Sequence, residues 1–369
     1  MSVYIHKIAT AVPPHAYEQS LLRDRMKAAF PGDRQTQAII HRVYNQSGIR
    51  RRYSVIGDLA DIQTGHLFFM PDGSVVSPGT AARNQRYTEC APRIITEVGA
   101  QLIDGVAGSR AEDVTHVVTV SCTGFFAPEP AYVAVRELGL SPHTKRFHIG
   151  FMGCFAAFQA LQIARSFCAE DPDAVVLIIC LELCTLHLQF SRDPDALVSG
   201  ALFGDGAAGV LVSARTPEPG CCGFRLERFA TALSPESEKD MAWTIGDEGF
   251  ELVLSQYVPT ILESNVRDSL APLMASYGID FAGVNLWAVH PGGRAILDKI
   301  QAGLELEPAQ LAASRRVLSD YGNMSSAAIL FVLRGMLTDA EQDDEQIVLA
   351  MGFGPGLTVE SALLTRLRG

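Results

Sequence analysis

The sequence lacks both a metal-binding cysteine pattern and an apolar run long enough to cross a bilayer. Its eight cysteines show no paired spacing and no nearby histidine couple that would complete a zinc site. The most apolar stretch, residues 174–188, is interrupted by Glu182 and His187, and the first residues show no basic region followed by an apolar segment. We therefore expect no metal, no membrane insertion, and a cytoplasmic protein with reduced thiols.

Positive charge and flexible linkers are also scarce. The net charge is −11, which argues against nucleic acid as a partner of the whole surface. No Gly/Ser-rich linker, charge block or repeat of fixed period divides the chain. With 369 residues and 48% hydrophobic content, the chain is long enough to bury a large core in two domain-sized halves.

Apolar runs alternate with helical patterns along the chain. Strands are predicted at 3–11, 114–120, 174–181, 207–212, 223–231, 286–289, 346–351 and 357–364. Helices are predicted at 17–47 with a break at 31–32, and at 155–168, 251–277, 294–304 and 325–337. This alternation predicts an α/β protein with a mostly parallel sheet covered on both faces. A Pro, Gly and Cys segment at 217–222 predicts the boundary between halves 1–222 and 223–369.

A glycine turn at 150–153 delivers Cys154 to the start of an apolar helix. The free N–H groups and positive dipole of a helix N-terminus favour the thiolate over the thiol. Cys154 is therefore the candidate nucleophile, although a buried cysteine is more often simply a small hydrophobic residue.

Two polar residues downstream could assist such a thiolate. His290 follows a strand-like run and precedes a Pro-Gly-Gly turn, which predicts a ring at a strand end; the alternative is a core histidine. Asn323 follows a Tyr-Gly turn and opens an apolar helix, where asparagine is ordinarily an N-cap. Together, Cys154, His290 and Asn323 supply a thiolate and two hydrogen-bond donors.

Two chemistries use this set of residues. The separation of Cys154 and His290 falls within the roughly 130–150 residues seen in papain-like proteases, but the long segment before Cys154 and its sequence context disagree with that class. The other chemistry is decarboxylative Claisen condensation of thioesters.

Five segments, in order, make the chain resemble the type III polyketide synthases, the chalcone synthase-like enzymes. They are Gly-Cys-Phe-Ala at 153–156, Ala-Leu-Phe-Gly-Asp-Gly-Ala-Ala at 201–208, His-Pro-Gly-Gly at 290–293, Tyr-Gly-Asn-Met-Ser-Ser-Ala at 321–327, and Gly-Phe-Gly-Pro-Gly-Leu-Thr-Val-Glu at 352–360. The resemblance covers nearly the whole chain and implies the thiolase fold, two similar αβαβα halves that form a five-layered core. The nucleophile would come from the first half, and His290 and Asn323 from the second.

The resemblance also implies the reaction and its partners. Such an enzyme loads an acyl-CoA starter on the cysteine, extends it with malonyl-CoA, cyclises the product, works as a homodimer and needs no cofactor. His290 would stabilise the thiolate as an imidazolium. The alternatives are another thiolase-fold condensing enzyme, such as the ketoacyl synthase of fatty-acid initiation, and a non-catalytic interaction protein of the same fold.

Further site residues follow from the matching positions. Phe203 matches the family's gating phenylalanine, and Leu252 stands at the second gating position, with Phe250 two residues earlier. Arg42 matches a CoA-binding cation, whereas Ile39 and Gln46 stand where plant enzymes have lysines. The run at 50–52 is expected to be a solvated face.

The remaining positions describe the substrate cavity. The expected lining residues are Cys122, Thr123, Ala127, Cys184, Leu186, His187, Trp243 and Ser325, and the expected active-site wall is Gly352, Phe353, Gly354, Pro355 and Gly356. Ala127 stands where plant enzymes insert a methionine into the partner subunit's cavity. The small side chains resemble those of bacterial members that extend fatty acyl starters to alkylpyrones or alkylresorcinols.

Overall fold

A nine-stranded mixed sheet runs through the computed structural model of the protein, which describes residues 1–59, 66–103, 110–218, 220–234, 239–255, 257–338 and 345–367. The described residues form thirteen strands and ten α-helices. The predicted boundary segment at 217–222 includes residue 219, which lies outside the described residues, and the division into 1–222 and 223–369 stays a prediction.

The elements follow one another in near-regular alternation. The strands are β1 Tyr4–Ala11, β2 His15–Glu18, β3 Arg51–Ser54, β4 His116–Ser121, β5 Lys145–Gly150, β6 Val175–Leu183, β7 Asp205–Ser213, β8 Phe224–Leu233, β9 Met241–Gly246, β10 Gly249–Leu254, β11 Leu286–Val289, β12 Gln346–Gly354 and β13 Thr358–Arg366. The helices are α1 Gln19–Ala28, α2 Arg34–Gln46, α3 Thr80–Ile103, α4 Pro130–Glu137, α5 Ala156–Glu170, α6 Pro194–Leu202, α7 Val258–Tyr277, α8 Arg294–Leu304, α9 Ala312–Tyr321 and α10 Ala328–Thr338.

The strand order is β11-β12-β13-β8-β1-β7-β6-β4-β5. Only β4 with β5, β4 with β6, and β11 with β12 pair in parallel, and the other five pairs are antiparallel. The expectation of a mostly parallel sheet was therefore wrong. Alternation of strands and helices indicates covered faces, but it does not fix the direction of strands that enter the sheet beside a distant partner.

Two halves of the sheet enclose a central helical layer. Alternate residues of β12 show this, because Val348 and Ala350 pack into the central core whereas Leu349 and Met351 pack into an outer core with α7 and α8. α5 and α10 occupy the central core and contact strands of both halves, and α3 covers the other outer face. The result is the expected five layers, helix, sheet, helix, sheet, helix.

The predicted helix at 251–277 is a helix only from Val258. Residues Gly249–Leu254 instead pair with Met241–Gly246 in a β-hairpin, in which Leu252 lies opposite Trp243. The apolar and polar residues of this short segment fit a strand as well as a helix, which is why the sequence pattern misled. Among the described residues, no helix combines the length and the apolar character that a membrane span requires.

Candidate active site

One cavity brings together most of the predicted site residues. Of those residues, its lining includes Cys122, Thr123, Cys154, Cys184, Phe203, Trp243, Leu252, His290, Asn323, Ser325, Phe353 and Pro355. Residues from both halves of the chain face the same space, and most of the surface that they present is carbon.

Cys154 lies two residues before α5, on a turn that only glycine allows. Gly153 has φ +88°, and a Cβ at Gly153 would lie 2.3 Å from Cδ of Pro355. The backbone N–H of Gly153 donates to the Cys122 sulfur at 3.0 Å. The nucleophile is therefore held between the 352–356 wall and a second cysteine.

His290 directly follows β11 and is 1% exposed. Its backbone N–H donates to the Met351 carbonyl at 2.9 Å, which anchors the residue to β12. Neither ring nitrogen has a hydrogen-bond partner among the described residues. Because buried polar groups are normally paired, two free ring nitrogens beside a cavity indicate a group that is paired by a ligand.

Asn323 follows α9 and is not an N-cap. Its Nδ2 donates to the Gly292 carbonyl at 3.2 Å, and its Oδ1 accepts from the Ser325 backbone N–H at 2.8 Å. These two bonds fix the amide plane and leave one N–H for a ligand.

The apolar surroundings disfavour charge on Cys154 and on His290 taken singly. Burial raises the pKa of the Cys154 thiol to about 11, although the side chains of Ser325 and Asn323 favour the thiolate. Burial alone lowers the pKa of His290 to about 3. The expected imidazolium and thiolate would therefore each need the opposite charge of the other, and the ion pair stays a prediction.

Glu182 is a buried carboxyl beside these cysteines. It accepts from the Cys122 backbone N–H and the Thr123 hydroxyl, each at 3.0 Å, and it is bonded to the Ser326 hydroxyl. Burial raises the pKa of Glu182 to about 7. Glu182 is a functional residue that sequence reasoning missed, although an acid inside an apolar strand is a signal of a polar site.

Phe203 and Leu252, the two predicted gating residues, both line the cavity. Phe203 ends α6, and Leu252 lies on the β9–β10 hairpin. Phe250 points elsewhere, because its ring stacks on His187 with 4.0 Å between centroids.

Several predicted residues lie outside this cavity. Leu186 is fully buried, Ala127 and Arg42 are exposed, and Gly352, Gly354 and Gly356 do not line the space. His187 is structural here: its Nε2–H donates to the Thr123 carbonyl at 2.9 Å, and its Nδ1 accepts from the Phe250 N–H at 3.0 Å. Burial lowers the pKa of His187 to about 4. Neither Leu186 nor His187 lines this cavity, but His187 lines a second cavity that shares the walls formed by Cys184 and Phe203.

The structure adds residues that the sequence did not indicate. Met241, Leu254 and Ile296 line the cavity, and they were missed because an apolar side chain carries no signal that separates lining from core. The run at 50–52 is only partly a solvated face, since Arg52 is 4% exposed. No group of three or more His, Cys, Asp or Glu side chains arranged to hold a metal occurs in the described ranges.

Solved structures define the class of protein. PKS-I from the brown algae Ectocarpus siliculosus is 28% identical, with a TM-score of 0.91 over 100% of this chain and 99% of that chain. The C-terminal type III polyketide synthase domain of Steely1 from Dictyostelium is 26% identical, with a TM-score of 0.88 over 100% of both chains. A bacterial enzyme, 1,3,6,8-tetrahydroxynaphthalene synthase from Streptomyces coelicolor A3(2), is 28% identical, with a TM-score of 0.87 over 99% of this chain and 100% of that chain. The fold is the thiolase fold of type III polyketide synthases.

Family comparison gives the more specific assignment. Residues 2–216 match the N-terminal domain of chalcone and stilbene synthases, and residues 225–368 match their C-terminal domain. The chain belongs to this family and is a polyketide synthase, an acyltransferase-type enzyme.

Proposed function

We propose that this synthase loads an acyl-CoA starter on Cys154, extends it with malonyl-CoA through His290 and Asn323, and cyclises the product. The observation that carries the proposal is the meeting of these three side chains in one apolar cavity, with both ring nitrogens of His290 unpaired. Acyl transfer needs a nucleophile, a proton acceptor and donors for developing negative charge, and the three residues supply them.

Loading begins with transfer of the Cys154 proton to His290. The thiolate attacks the thioester carbonyl of acyl-CoA, and the carbon–sulfur bond to coenzyme A breaks. Coenzyme A leaves as its thiol after taking the proton back from the imidazolium. The product is an acyl thioester on Cys154, with no net change in charge.

Extension uses the same donors on a second substrate. The thioester carbonyl of malonyl-CoA lies between His290 and the free N–H of Asn323, which stabilise the enolate as carbon dioxide leaves. The enolate carbon attacks the acyl carbonyl on Cys154, and the thiolate departs. The chain, longer by two carbons, is then attached to coenzyme A. Decarboxylation supplies the carbanion, so this route needs no cofactor.

We propose a fatty acyl starter and an alkylpyrone or alkylresorcinol type of product. The second cavity shares the walls formed by Cys184 and Phe203 and is lined also by Leu22, Met26 and Phe69. An alkyl tail that passes these two shared residues would leave water for apolar surface.

Binding of coenzyme A is assigned to Arg42, with Arg294 as a second candidate cation. Arg294 begins α8, its Cβ lies against Gly48 after α2, and Ile296 on the same helix lines the cavity. We expect Arg42→Ala and Arg294→Ala to raise KM for acyl-CoA while Cys154 still reacts with a small thioester that lacks the nucleotide. Equal loss with both substrates would contradict the assignment.

A cytoplasmic homodimer is the proposed working form. β5 stands at the edge of the sheet, and Tyr132, Phe147 and Met152 beside it are exposed. An open edge with apolar side chains favours pairing with a second chain. Light scattering after size-exclusion chromatography would show twice the monomer mass, and a monomer would contradict the proposal.

The function is tested by incubating the protein with malonyl-CoA and acyl-CoA starters of increasing length. Mass spectrometry should show release of carbon dioxide and products extended by two-carbon units, most efficiently from long chains. Extension of short starters only would remove the fatty acyl proposal. The absence of any extension would contradict the loading and extension scheme itself.

A further inference from the structure

Arg52 is a buried guanidinium at the end of the helix that carries the gate. It lies on β3 and is 4% exposed, and no carboxylate lies within ion-pair distance of it in the described part of the chain. Its Nε donates to Oε1 of Gln19 at 2.9 Å, and its Nη1 donates to the Phe203 carbonyl. A charged group is costly to bury, and these acceptors are joined by the Tyr44 ring, whose centroid lies 5.7 Å from the guanidinium carbon, and by the charge of Asp205.

The last carbonyls of α6 each accept a hydrogen bond from a distant segment. The donors are Tyr44 Oη to Gly200 at 2.9 Å, Gln19 Nε2 to Ala201 at 2.8 Å, the Asn323 N–H to Leu202 at 2.9 Å, and Arg52 Nη1 to Phe203. The C-terminal carbonyls of a helix lack intrahelical partners, and its negative end favours a cation. Arg52 therefore supplies both a hydrogen-bond donor and a positive charge at the carbonyl of Phe203, the proposed gating residue.

The same end of α6 is joined to the catalytic asparagine. Phe203 and Asn323 form a parallel bridge, in which the Asn323 N–H bonds to Leu202 and the Gly204 N–H bonds to the Asn323 carbonyl at 3.0 Å. The gate and the proposed enolate donor thus share backbone hydrogen bonds.

The aliphatic stem of Arg52 packs against the turn before Asn323. Gly322 has φ +72°, and a Cβ there would lie 2.9 Å from Arg52 Cδ and 2.8 Å from the Leu202 carbonyl oxygen. One side chain consequently contacts the Phe203 carbonyl through its head and the Asn323 turn through its stem.

We propose that Arg52 is a positioning residue. It fixes the position of Phe203 relative to Asn323, so that Asn323 can act on malonyl-CoA. The proposal rests on the proposed roles of Phe203 and Asn323. It separates two activities of the site: loading depends mainly on Cys154 and His290, whereas decarboxylation depends more strongly on the placement of Asn323. Disturbing Arg52 should impair decarboxylation more than loading.

The test compares these two rates in Arg52→Met and Arg52→Lys. Acylation of Cys154 by a short acyl-CoA gives the loading rate, and conversion of malonyl-CoA to acetyl-CoA gives the decarboxylation rate. We expect the ratio of decarboxylation to loading to fall about tenfold in Arg52→Met, because small misplacements of a catalytic group cost up to about 100-fold. Lysine keeps the charge but loses the forked donor geometry, so Arg52→Lys should recover part of the ratio.

Tyr44→Phe is the matched control. It removes a buried bond to the same end of α6, at Gly200, but keeps both the Phe203 carbonyl bond and the aromatic ring that lies 5.7 Å from the Arg52 guanidinium, so its ratio should equal that of the unaltered protein. An unchanged ratio in both Arg52 variants, or an equal fall in Tyr44→Phe, would mean that Arg52 only stabilises the fold. If Arg52→Met does not fold, Arg52→Lys decides the question. If the unaltered protein neither loads nor decarboxylates, the proposed function fails instead.

Discussion

Replacing His290 with glutamine should remove the only base that makes the Cys154 thiolate accessible near neutral pH. Burial places the pKa of the Cys154 thiol at about 11, so without a partner about one molecule in ten thousand is ionised at pH 7. A free cysteine, of pKa about 8.5, is ionised in a few per cent of molecules. If proton transfer to His290 restores at least the free-cysteine level, His290→Gln should slow thiolate chemistry at pH 7 by about 100-fold or more.

The assay is alkylation by iodoacetamide between pH 6 and pH 11, with modified Cys154 quantified by peptide mass spectrometry. In the unaltered protein the rate should level off well below the pH at which it does so in His290→Gln, where it should still rise at pH 10. The exposed Cys221 in the same sample is an internal standard and should react equally in both proteins. Superimposable Cys154 profiles in the two proteins would refute the reasoning.

Four further substitutions separate the roles of the site residues. Cys154→Ala should abolish acyl loading but keep some malonyl-CoA decarboxylation. Asn323→Ala should keep acyl loading but abolish most of the decarboxylation. Acylation of another cysteine by labelled acyl-CoA would show that the nucleophile is misassigned. Cys184→Phe adds bulk where the two cavities meet. It should reduce the use of long acyl-CoAs far more than that of acetyl- or hexanoyl-CoA, because overpacking costs about 1–3 kcal/mol or blocks the ligand. An equal loss of activity at every chain length would place Cys184 outside the acyl path. Gly153→Ala should lower the free energy of unfolding by about 1–3 kcal/mol and slow loading, because its Cβ would lie 2.3 Å from Cδ of Pro355. A free energy of unfolding and a loading rate equal to those of the unaltered protein would show that this turn does not constrain Cys154.

The predictions that succeeded concern residues whose chemistry differs from that of their surroundings. A lone cysteine at a helix start and a histidine at a strand end were recognisable, and the structure brings Cys154, His290 and Asn323 to one cavity. Element order was also largely predictable, and β11 and α8 have the predicted bounds. These features depend on local pattern, which a sequence carries directly.

The predictions that failed depend on distant partners. Strand direction in the sheet is set by which strands become neighbours, and the fate of Arg52 is set by carbonyls of α6 that lie far along the chain. Nothing in the sequence indicated that His187 accepts a hydrogen bond from the Phe250 N–H, because the two residues lie 63 positions apart. Neither the register nor the partners of a buried polar group can be obtained from local periodicity.

The pairing of β1 has a consequence for how the chain reaches its native state. β1 lies in the middle of the nine-stranded sheet, between β7 and β8, although it precedes both by about 200 residues. During synthesis it therefore has no native strand partner until β7 has been made. Such distant pairing slows folding and leaves an apolar strand open to wrong partners in the meantime. We expect refolding from denaturant to be slow and the refolding yield to fall as the protein concentration rises. The enzyme should therefore fold most efficiently where chaperones bind β1 until its partner strands have been made.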